Sequence, residues 1–410
     1  MWNNIKSIFS LLLSFGMLLL GNGMIGTLLG IRSKLEGFST EITGIIMAGF
    51  SVGLLLGALY AVRVVAAVGH IRAFAAFASI MSVAVLAHVL FIDPITWFVL
   101  RVVAGFCMAG MVMVVESWVN ERATNKTRGQ ILSLYMITNY LGAGVGQLML
   151  LMGDPAQFQL FIIASMVYSF ALVPILLTQA TAPKHSSPRR VKFGALLAIS
   201  PVGVFGTICA GMGNSSLNNM GAVFAKEIGL PISEVSVFMA SAILGGMVLQ
   251  FPIGRLSDKF DRRTVLIVAS LATGLAAIGV IWATSQAASV LFVTAAVYGA
   301  LCFTIHPLSA SQLNDRAAPD QLVQVSAGLL IAYGIGASIG PIMVAQSMAM
   351  FGPKGFFLFA VGINSALILF TTIRIIQRRR GDKEKAPFMP LGGSGMSSKQ
   401  LYTGAISDAE

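Results

Sequence analysis

Charged residues are scarce in this 410-residue chain, in which Asp, Glu, Lys and Arg together make up 10% of the sequence. Soluble proteins carry about 25%. Because a soluble domain of this size could not cover itself with so little charge, the composition excludes an ordinary soluble fold. A bilayer tolerates it, since lipid replaces water around most of the surface. With hydrophobic residues at 56%, the composition predicts an integral membrane protein.

Cysteine is also rare, and Cys107, Cys209 and Cys302 all fall inside apolar runs. Their spacing suits neither a disulfide framework nor a zinc site, so we interpret them as packing residues. The sequence has no P-loop, no His-Glu-x-x-His and no paired histidines, which argues against direct use of ATP and against a metal-dependent hydrolase. We therefore expect no catalytic residues, no cofactor, no metal and no enzyme activity.

Long apolar runs dominate the sequence. A helix needs about 20 residues to cross the hydrocarbon of a bilayer, and runs of that length recur along the chain. They predict an all-α polytopic membrane protein with twelve transmembrane helices. The predicted spans are 7–31, 42–64, 70–92, 95–118, 129–152, 158–179, 194–222, 232–253, 264–284, 287–312, 321–347 and 354–377.

Lysine and arginine are distributed unevenly over the loops, and loops rich in them face the cytoplasm. If the N-terminus is cytoplasmic, most of the 27 lysines and arginines fall on the cytoplasmic side, while Arg101 lies inside a span. The exceptions on the outer side are Arg32, Lys34, Lys226 and Lys354. We therefore predict that both termini are cytoplasmic, and we expect the protein in a bacterial inner membrane. Its cations would face an anionic leaflet, so the net charge of +11 implies no nucleic acid.

Two segments lie outside the predicted spans. The stretch 180–193 is predicted to be a basic cytoplasmic linker, and the polar tail 378–410 is expected to be disordered and cytoplasmic. These segments delimit an N-terminal six-helix half at 1–179 and a C-terminal six-helix half at 194–377.

The two predicted halves repeat each other. Matched residues keep an almost constant spacing, and they are Gly21-Asn22 with Gly213-Asn214, Gly37 with Gly229, Gly53 with Gly245, Gly105 with Gly299, and Asn120-Glu121-Arg122 with Asn314-Asp315-Arg316. Isolated matches would be chance in a glycine-rich chain, but the shared spacing is not. The repeat predicts two pseudosymmetric halves about an axis normal to the membrane, with a substrate cavity between them.

The stretch GRLSDKFDRR at 254–263 follows the eighth predicted span. It resembles the cytoplasmic signature of the major facilitator superfamily, G-x-x-x-D-[RK]-x-G-[RK]-[RK]. The matching residues are Gly254, Asp258, Lys259, Arg262 and Arg263, whereas Asp261 stands where the family has glycine. A carboxylate among arginines at a helix end can hold two helices together and release them, which implies a gating role. The alternative is a solvated basic loop.

Other spans extend the resemblance. Arg101 and Gly105 match the family's Arg-x-x-x-Gly motif, although Ala104 replaces a usual glutamine. Gln147 stands where the family's antiporter motif has proline, so uptake and efflux both stay open. Within the superfamily, the run 116–147 is most similar to the YcaD-like branch. The resemblance covers nearly the whole chain and implies the major facilitator fold and secondary active transport.

Charge inside a span is costly and marks a functional candidate. Arg101 would bind an anionic or carbonyl group of the substrate, or else be a structural arginine. Glu116, near the inner end of the same span, would carry a coupling proton or hold the adjoining loop. His306, in the tenth span, would relay protons or be structural.

The seventh span reads GMGNSSLNNMG at 211–221, which is too polar and glycine-rich for a lipid-facing helix. A broken or kinked helix beside water is the usual setting for such a stretch, and the alternative is a flexible outer end. The substrate-binding residues predicted from it are Asn214, Ser215, Asn218 and Asn219, with Asn22 as the repeat partner of Asn214. Weaker candidates from other spans are Asn139, Tyr140, Gln147, Gln250, Tyr298 and Tyr333.

Together these features predict a proton-coupled secondary transporter that moves a small solute by alternating access. The alternative, from another class, is a membrane receptor or scaffold that keeps the fold without transporting. The expected partners are a small-molecule substrate and the lipid bilayer, and the protein is expected to be monomeric. The identity of the substrate stays open.

Overall fold

The computed structural model of the protein describes residues 2–122, 128–177, 193–317 and 321–377, and every regular element in these ranges is a helix. The linker predicted at 180–193, apart from Phe193, and the tail predicted at 378–410 lie outside the described residues. The helices of the first half are α1 (Trp2–Leu35), α2 (Thr40–Val68), α3 (His70–Leu90), α4 (Pro94–Arg122), α5 (Arg128–Leu148), α6 (Gln159–Phe170) and α7 (Leu172–Leu176), with a 3-10 turn (Met149–Met152) after α5. Those of the second half are α8 (Phe193–Ile199), α9 (Pro201–Glu227), α10 (Ile232–Val248), α11 (Gln250–Lys259), α12 (Arg262–Ala283), α13 (Ala288–Cys302), α14 (Ile305–Asn314), α15 (Leu322–Phe351) and α16 (Gly355–Gln377).

Helices occupy all twelve predicted spans, and the all-α polytopic fold is confirmed. Eleven segments of the described chain are long and apolar enough to cross a membrane. Helix α9, at the place of the seventh span, is not among them although it has 27 residues. Its composition is the reason, because asparagine and serine interrupt its apolar sequence at 214–219.

The expectation of a broken helix at 211–221 is wrong, because α9 runs without interruption from Pro201 to Glu227. The break lies earlier, at Ser200, whose hydroxyl accepts a hydrogen bond from the Gly203 N–H and caps the helix. The asparagine side chains fit inside the helix because they donate to its own carbonyls. Asn218 donates to the Asn214 carbonyl at 2.8 Å, for example. Its glycines let neighbouring helices approach instead of breaking the chain.

The repeated glycines make the same contact in each half. Gly53 of α2 lies against the Val102 carbonyl of α4, and its repeat partner Gly245 lies against the Ala296 carbonyl of α13. A Cβ at either glycine would overlap that carbonyl oxygen, so only glycine permits the approach. A second matched pair, Gly37 and Gly229, takes up positive φ angles of 81° and 88° in corresponding turns. The sequence repeat is therefore a structural repeat.

The two halves meet along α1 and α9, where repeat partners face each other. Gly26 lies against the Asn218 carbonyl, and Gly30 against Val223. At the end of both helices, Lys34 Nζ lies 3.0 Å from Glu227 Oε1, and the Thr40 hydroxyl donates to the same carboxylate at 2.6 Å. These contacts join the halves at the end of the bundle that the charge pattern predicts to be outer.

Candidate functional site

A cavity of about 760 Å³, counting the part open to solvent, lies between the halves. Helices α1, α2, α4 and α5 line it from one side, and α9, α10, α15 and the residue after α13 line it from the other. Its lining residues are Leu19, Asn22, Gly23, Gly26, Phe50, Ser51, Leu54, Arg101, Asn139, Tyr140, Ala143, Gln147, Ser215, Asn218, Asn219, Ile243, Phe303, Tyr333 and Ala337. The repeat predicted a cavity in this place.

Arg101 supplies the only charge among the described residues that line this cavity. Its side chain is 2% exposed, and its Nη2 donates to Asn219 Oδ1 at 2.6 Å. The guanidinium carbon lies 4.5 Å from the centre of the Phe50 ring, a distance at which a cation is attracted to the ring face. Its Nε has no hydrogen-bond partner among the described residues. The guanidinium is thus held in place with donor capacity left over.

A hydrogen-bond network places Asn219 against Arg101. Asn219 Nδ2 donates to the Ser215 carbonyl at 3.0 Å and to Ser215 Oγ at 3.2 Å. Ser215 Oγ donates to the Ala337 carbonyl of α15 at 2.7 Å and lies 2.9 Å from Ser51 Oγ of α2. The network therefore ties α2, α4, α9 and α15 together across the two halves, and buried networks of this kind hold their members in one geometry.

Helix α5 brings a second group of polar side chains to the cavity. Gln147 donates to the Gly23 carbonyl at 2.9 Å and accepts from the Thr27 hydroxyl of α1. The Tyr140 hydroxyl accepts a hydrogen bond from Gln250 of α11, so Gln250 supports Tyr140 from outside the cavity lining. These contacts hold the α5 side chains at defined places on the cavity wall.

Most of the predicted substrate-binding residues meet at this cavity: Asn22, Arg101, Asn139, Tyr140, Ser215, Asn218, Asn219 and Tyr333. Two do not. Asn214 lies behind the cavity wall, where its Oδ1 accepts from the Cys302 thiol at 3.4 Å. Tyr298 is 1% exposed and packs edge-on against Phe357 inside the second half. Both side chains belong to that half's own core in this structure.

The structure also adds residues that sequence reasoning missed. Phe50 and Ser51 line the cavity and contact the Arg101 network. Both lie in α2, where an aromatic residue and a serine do not stand out. A hydroxyl two residues before a matched glycine, Gly53, is the one signal that pointed towards the inter-half face.

Glu116 and His306 lie outside the cavity lining. Glu116 is fully buried and accepts a hydrogen bond from the Tyr135 hydroxyl of α5 at 2.6 Å. His306 is 3% exposed, and its ring centre lies 4.6 Å from that of Tyr333, which does line the cavity. Its Nδ1 has no partner within the described ranges. His306 therefore contacts the cavity wall from behind, and Glu116 links α4 to α5.

The signature at 254–263 surrounds one buried arginine. Arg262 Nε lies 2.5 Å from Asp315 Oδ2, and its Nη2 lies 3.3 Å from Asp258 Oδ1. The Asp261 carboxylate caps α12 by accepting from the Arg263 N–H at 2.8 Å, which gives its departure from the family's glycine a structural use. Arg262 thus connects α11, α12 and the residue that follows α14. Gly254 is buried beside this cluster, and Lys259 is exposed.

Two stretches match the serine-hydrolase letters Gly-x-Ser-x-Gly, centred on Ser51 and Ser338. Both lie inside long helices, α2 and α15, whereas that motif holds its serine on a strand-to-helix turn. Neither serine therefore has the setting of a nucleophile. In the described part of the chain, no cluster of His, Cys, Asp or Glu is able to hold a metal ion.

Comparison with known proteins identifies the family. The sequence model of the Major Facilitator Superfamily matches residues 11–201 and 203–405. The chain is 26% identical over 363 residues to an uncharacterized MFS-type transporter, YcaD, of Escherichia fergusonii, with 88% of this chain and 94% of the relative covered. It is 25% identical over 382 residues to an uncharacterized MFS-type transporter of Yersinia pestis, with coverage of 92% and 97%.

Solved structures show the same fold. The nucleoside transporter NupG superposes with a TM-score of 0.75 at 14% identity, covering 91% of this chain and 99% of its own. A bacterial homologue of the lysosomal transporter Spinster, solved in an inward-facing conformation, gives a TM-score of 0.68 at 14% identity, with 99% and 98% covered. The family match, the helical repeat and the cavity between the halves agree, and this multi-pass membrane protein belongs to the Major Facilitator Superfamily of transporters.

Proposed function

We propose that this chain is a secondary active transporter that binds a small polar solute with an anionic group in the central cavity. The observation that carries the proposal is Arg101, which is buried at the cavity with no carboxylate among the described lining residues. A charge in a low-dielectric setting is costly unless it is paired. A substrate carboxylate or phosphate would supply the missing charge, and a planar guanidinium suits either group.

The rest of the lining supports a polar solute. Amides and hydroxyls of Asn22, Asn139, Asn218 and Tyr140 offer neutral donors and acceptors, while Phe50 and Phe303 add apolar surface. This lining favours a polar solute over a large lipophilic one.

We infer an alternating-access mechanism in which this structure is the inward-facing state. The half-to-half contacts Lys34–Glu227 and Gly30–Val223 lie at the predicted outer end, so that end is closed. Rocking of one half against the other would break these contacts and open the cavity outward. The assignment depends on cytoplasmic termini in a bacterial inner membrane, so reporter fusions at Ser187 must report cytoplasm and fusions at Pro155 the outside.

Proton coupling completes the proposal, with Glu116 as the main protonation site and His306 as a secondary one. Glu116 is a buried carboxylic acid bonded to Tyr135 on the adjacent helix, so a change in its protonation would act on the α4–α5 contact. His306 adjoins Tyr333 of the cavity wall. The Arg262 cluster is the proposed gate. Arg262 forms ion pairs with both Asp258 and Asp315, so the contact with Asp258 can break while the contact with Asp315 stays.

A ligand screen followed by a transport assay tests whether the cavity binds an anionic solute and whether a pH gradient drives its transport. Purified protein is first tested by thermal shift against a library in which each anionic solute is paired with its neutral amide, because a bound ligand stabilises the fold. Hits are then assayed for uptake in proteoliposomes with and without a pH gradient. The proposal expects anionic hits that accumulate only with a gradient. Hits that bind without crossing the membrane would favour the alternative of a receptor or scaffold, and stabilisation by the neutral amides alone would remove the anionic class.

A further inference from the structure

A second cavity lies in the second half and shares no lining residue with the central one. It is formed where α8, the start of α9, the start of α12 and the end of α16 meet. It measures about 610 Å³, counting the part open to solvent. Its lining combines three arginines with an apolar wall, and the residues are Arg263, Arg316, Arg374, Leu197, Ala198, Pro201 and Val202.

The charge of this cavity is one-sided. The three guanidiniums come from separate elements, because Arg263 is in the first turn of α12, Arg316 follows α14 and Arg374 is in the last turn of α16. No carboxylate is among the described residues that line it. An anion with several oxygens can accept hydrogen bonds from guanidiniums on separate elements at the same time. Guanidinium groups form paired hydrogen bonds with phosphate oxygens.

The surroundings of the cavity indicate where such an anion would come from. Val268 and Leu271 of α12 are 56% and 53% exposed, and Ile373 of α16 is 42% exposed. These apolar side chains belong to the same two helices that carry Arg263 and Arg374, and such exposed surface suits acyl chains. The cavity also lies at the same end of the bundle as the 254–263 signature, where the charge pattern predicts the cytoplasmic leaflet. Basic pockets between transmembrane helices on that side bind anionic headgroups.

We propose that the three-arginine pocket is a binding site for an anionic phospholipid, with headgroup phosphate on Arg263, Arg316 and Arg374 and acyl chains along α12 and α16. The site is separate from the proposed substrate cavity, and it does not depend on which solute is transported. It would fix the inner end of α16 and the start of α12 to the leaflet surface.

The test uses the full-length protein in a neutral detergent, with native mass spectrometry and thermal melting as readouts. Cardiolipin, which carries two phosphates, should remain bound and raise the Tm, whereas phosphatidylcholine should do neither. The Arg316→Gln/Arg374→Gln pair should weaken cardiolipin binding roughly 30-fold. The matched control is Arg72→Gln/Arg255→Gln, which removes two exposed arginines from the same predicted side and should change binding less than about twofold.

Two results would overturn the proposal. Equal weakening in both double variants would mean that cardiolipin responds only to general surface charge. Equal stabilisation by inorganic phosphate at the same phosphate concentration would mean a small-anion site with no role for the lipid chains. If the glutamine pair does not fold, Arg316→Lys/Arg374→Lys keeps the charge and loses the planar fork. That pair must bind cardiolipin more weakly than Arg72→Lys/Arg255→Lys, and equal binding would also reject the site.

Discussion

Arg101 is fixed on two sides by the Asn219 amide and the Phe50 ring, and its Nε has no partner among the described residues. Lysine at this place would keep the charge but lose the planar fork. We predict that Arg101→Lys lowers the affinity for an anionic substrate roughly tenfold and that Arg101→Ala lowers it further. Calorimetric titration with a ligand from the thermal-shift screen measures the effect, with Arg72→Lys, an exposed arginine, as the control. Unchanged affinity in both Arg101 variants would return the residue to a structural role.

Replacing Glu116 by glutamine distinguishes a structural role of this residue from a proton-carrying one. Glutamine has nearly the same shape and keeps an oxygen that accepts the hydrogen bond from Tyr135, but it does not titrate. We predict that Glu116→Gln abolishes accumulation driven by a pH gradient and leaves substrate exchange across the membrane. Tyr135→Phe is the matched control, since it removes the 2.6 Å hydrogen bond and retains the carboxyl group. Accumulation with a normal pH dependence in Glu116→Gln would exclude it as the coupling residue. Loss of both accumulation and exchange would indicate a folding role.

At this scale the sequence identified residues that are unusual for a membrane span. Arg101 was recognisable by its charge, and Asn218 by the polar run around it. Ser51 was not, because a serine in an apolar helix is common and its importance depends on the facing Ser215 hydroxyl. Asn214 resembles its neighbours in sequence, yet it turns to Cys302 in the core. Which face of a helix meets a cavity depends on its neighbours, and one sequence does not specify them.

At the scale of the element, α9 shows what composition predicts and what it does not. The sequence predicted a polar, buried segment, and α9 is buried over most of its length. It did not predict an uninterrupted helix, because asparagine and glycine are poor helix formers in isolation. Packing on all sides and bonds such as Asn219 to the Ser215 carbonyl overrule that preference.

The glycine contacts between helices provide a test of the packing. We predict that Gly245→Ala destabilises the protein by about 1 to 3 kcal/mol, because the added Cβ overlaps the Ala296 carbonyl of α13. Gly274→Ala in α12 is the matched control, since nothing lies within 4 Å of a Cβ there. Alanine should be neutral or stabilise by up to about 1 kcal/mol at that site. Thermal melting in detergent compares the two, and equal shifts would contradict the close approach of α10 and α13.

The Arg262 cluster predicts different outcomes for its two carboxylates. Asp258→Ala should reduce transport while expression stays normal, because Arg262 keeps the 2.5 Å contact with Asp315. Asp315→Ala should lower the melting temperature as well, since it removes the closer partner of a buried guanidinium. Membrane expression, melting and uptake are measured on both variants. Normal uptake in Asp258→Ala would mean that the 254–263 signature is only a solvated basic loop with no gating role.

At the scale of the whole molecule, the sequence repeat corresponds to equivalent helix–helix contacts in the two halves. The span count, the repeat and the superfamily were all readable from apolar runs, matched glycines and the 254–263 signature. The relation between the halves was not readable, because one sequence is compatible with several conformational states, which can differ by only a few kcal/mol. The closed end marked by Lys34 and Glu227 is therefore information that only the structure supplies.

The most direct test of the central claim is to lock that end and measure binding and transport together. Lys34→Cys and Glu227→Cys place two thiols across the contact between α1 and α9, while the three native cysteines are buried. A short, reducible, water-soluble crosslinker joins the pair, and each single-cysteine variant is the control. The account predicts that the crosslinked protein still binds ligand, loses uptake in proteoliposomes and regains it on reduction. Undiminished uptake with the crosslink in place would contradict alternating access through this cavity.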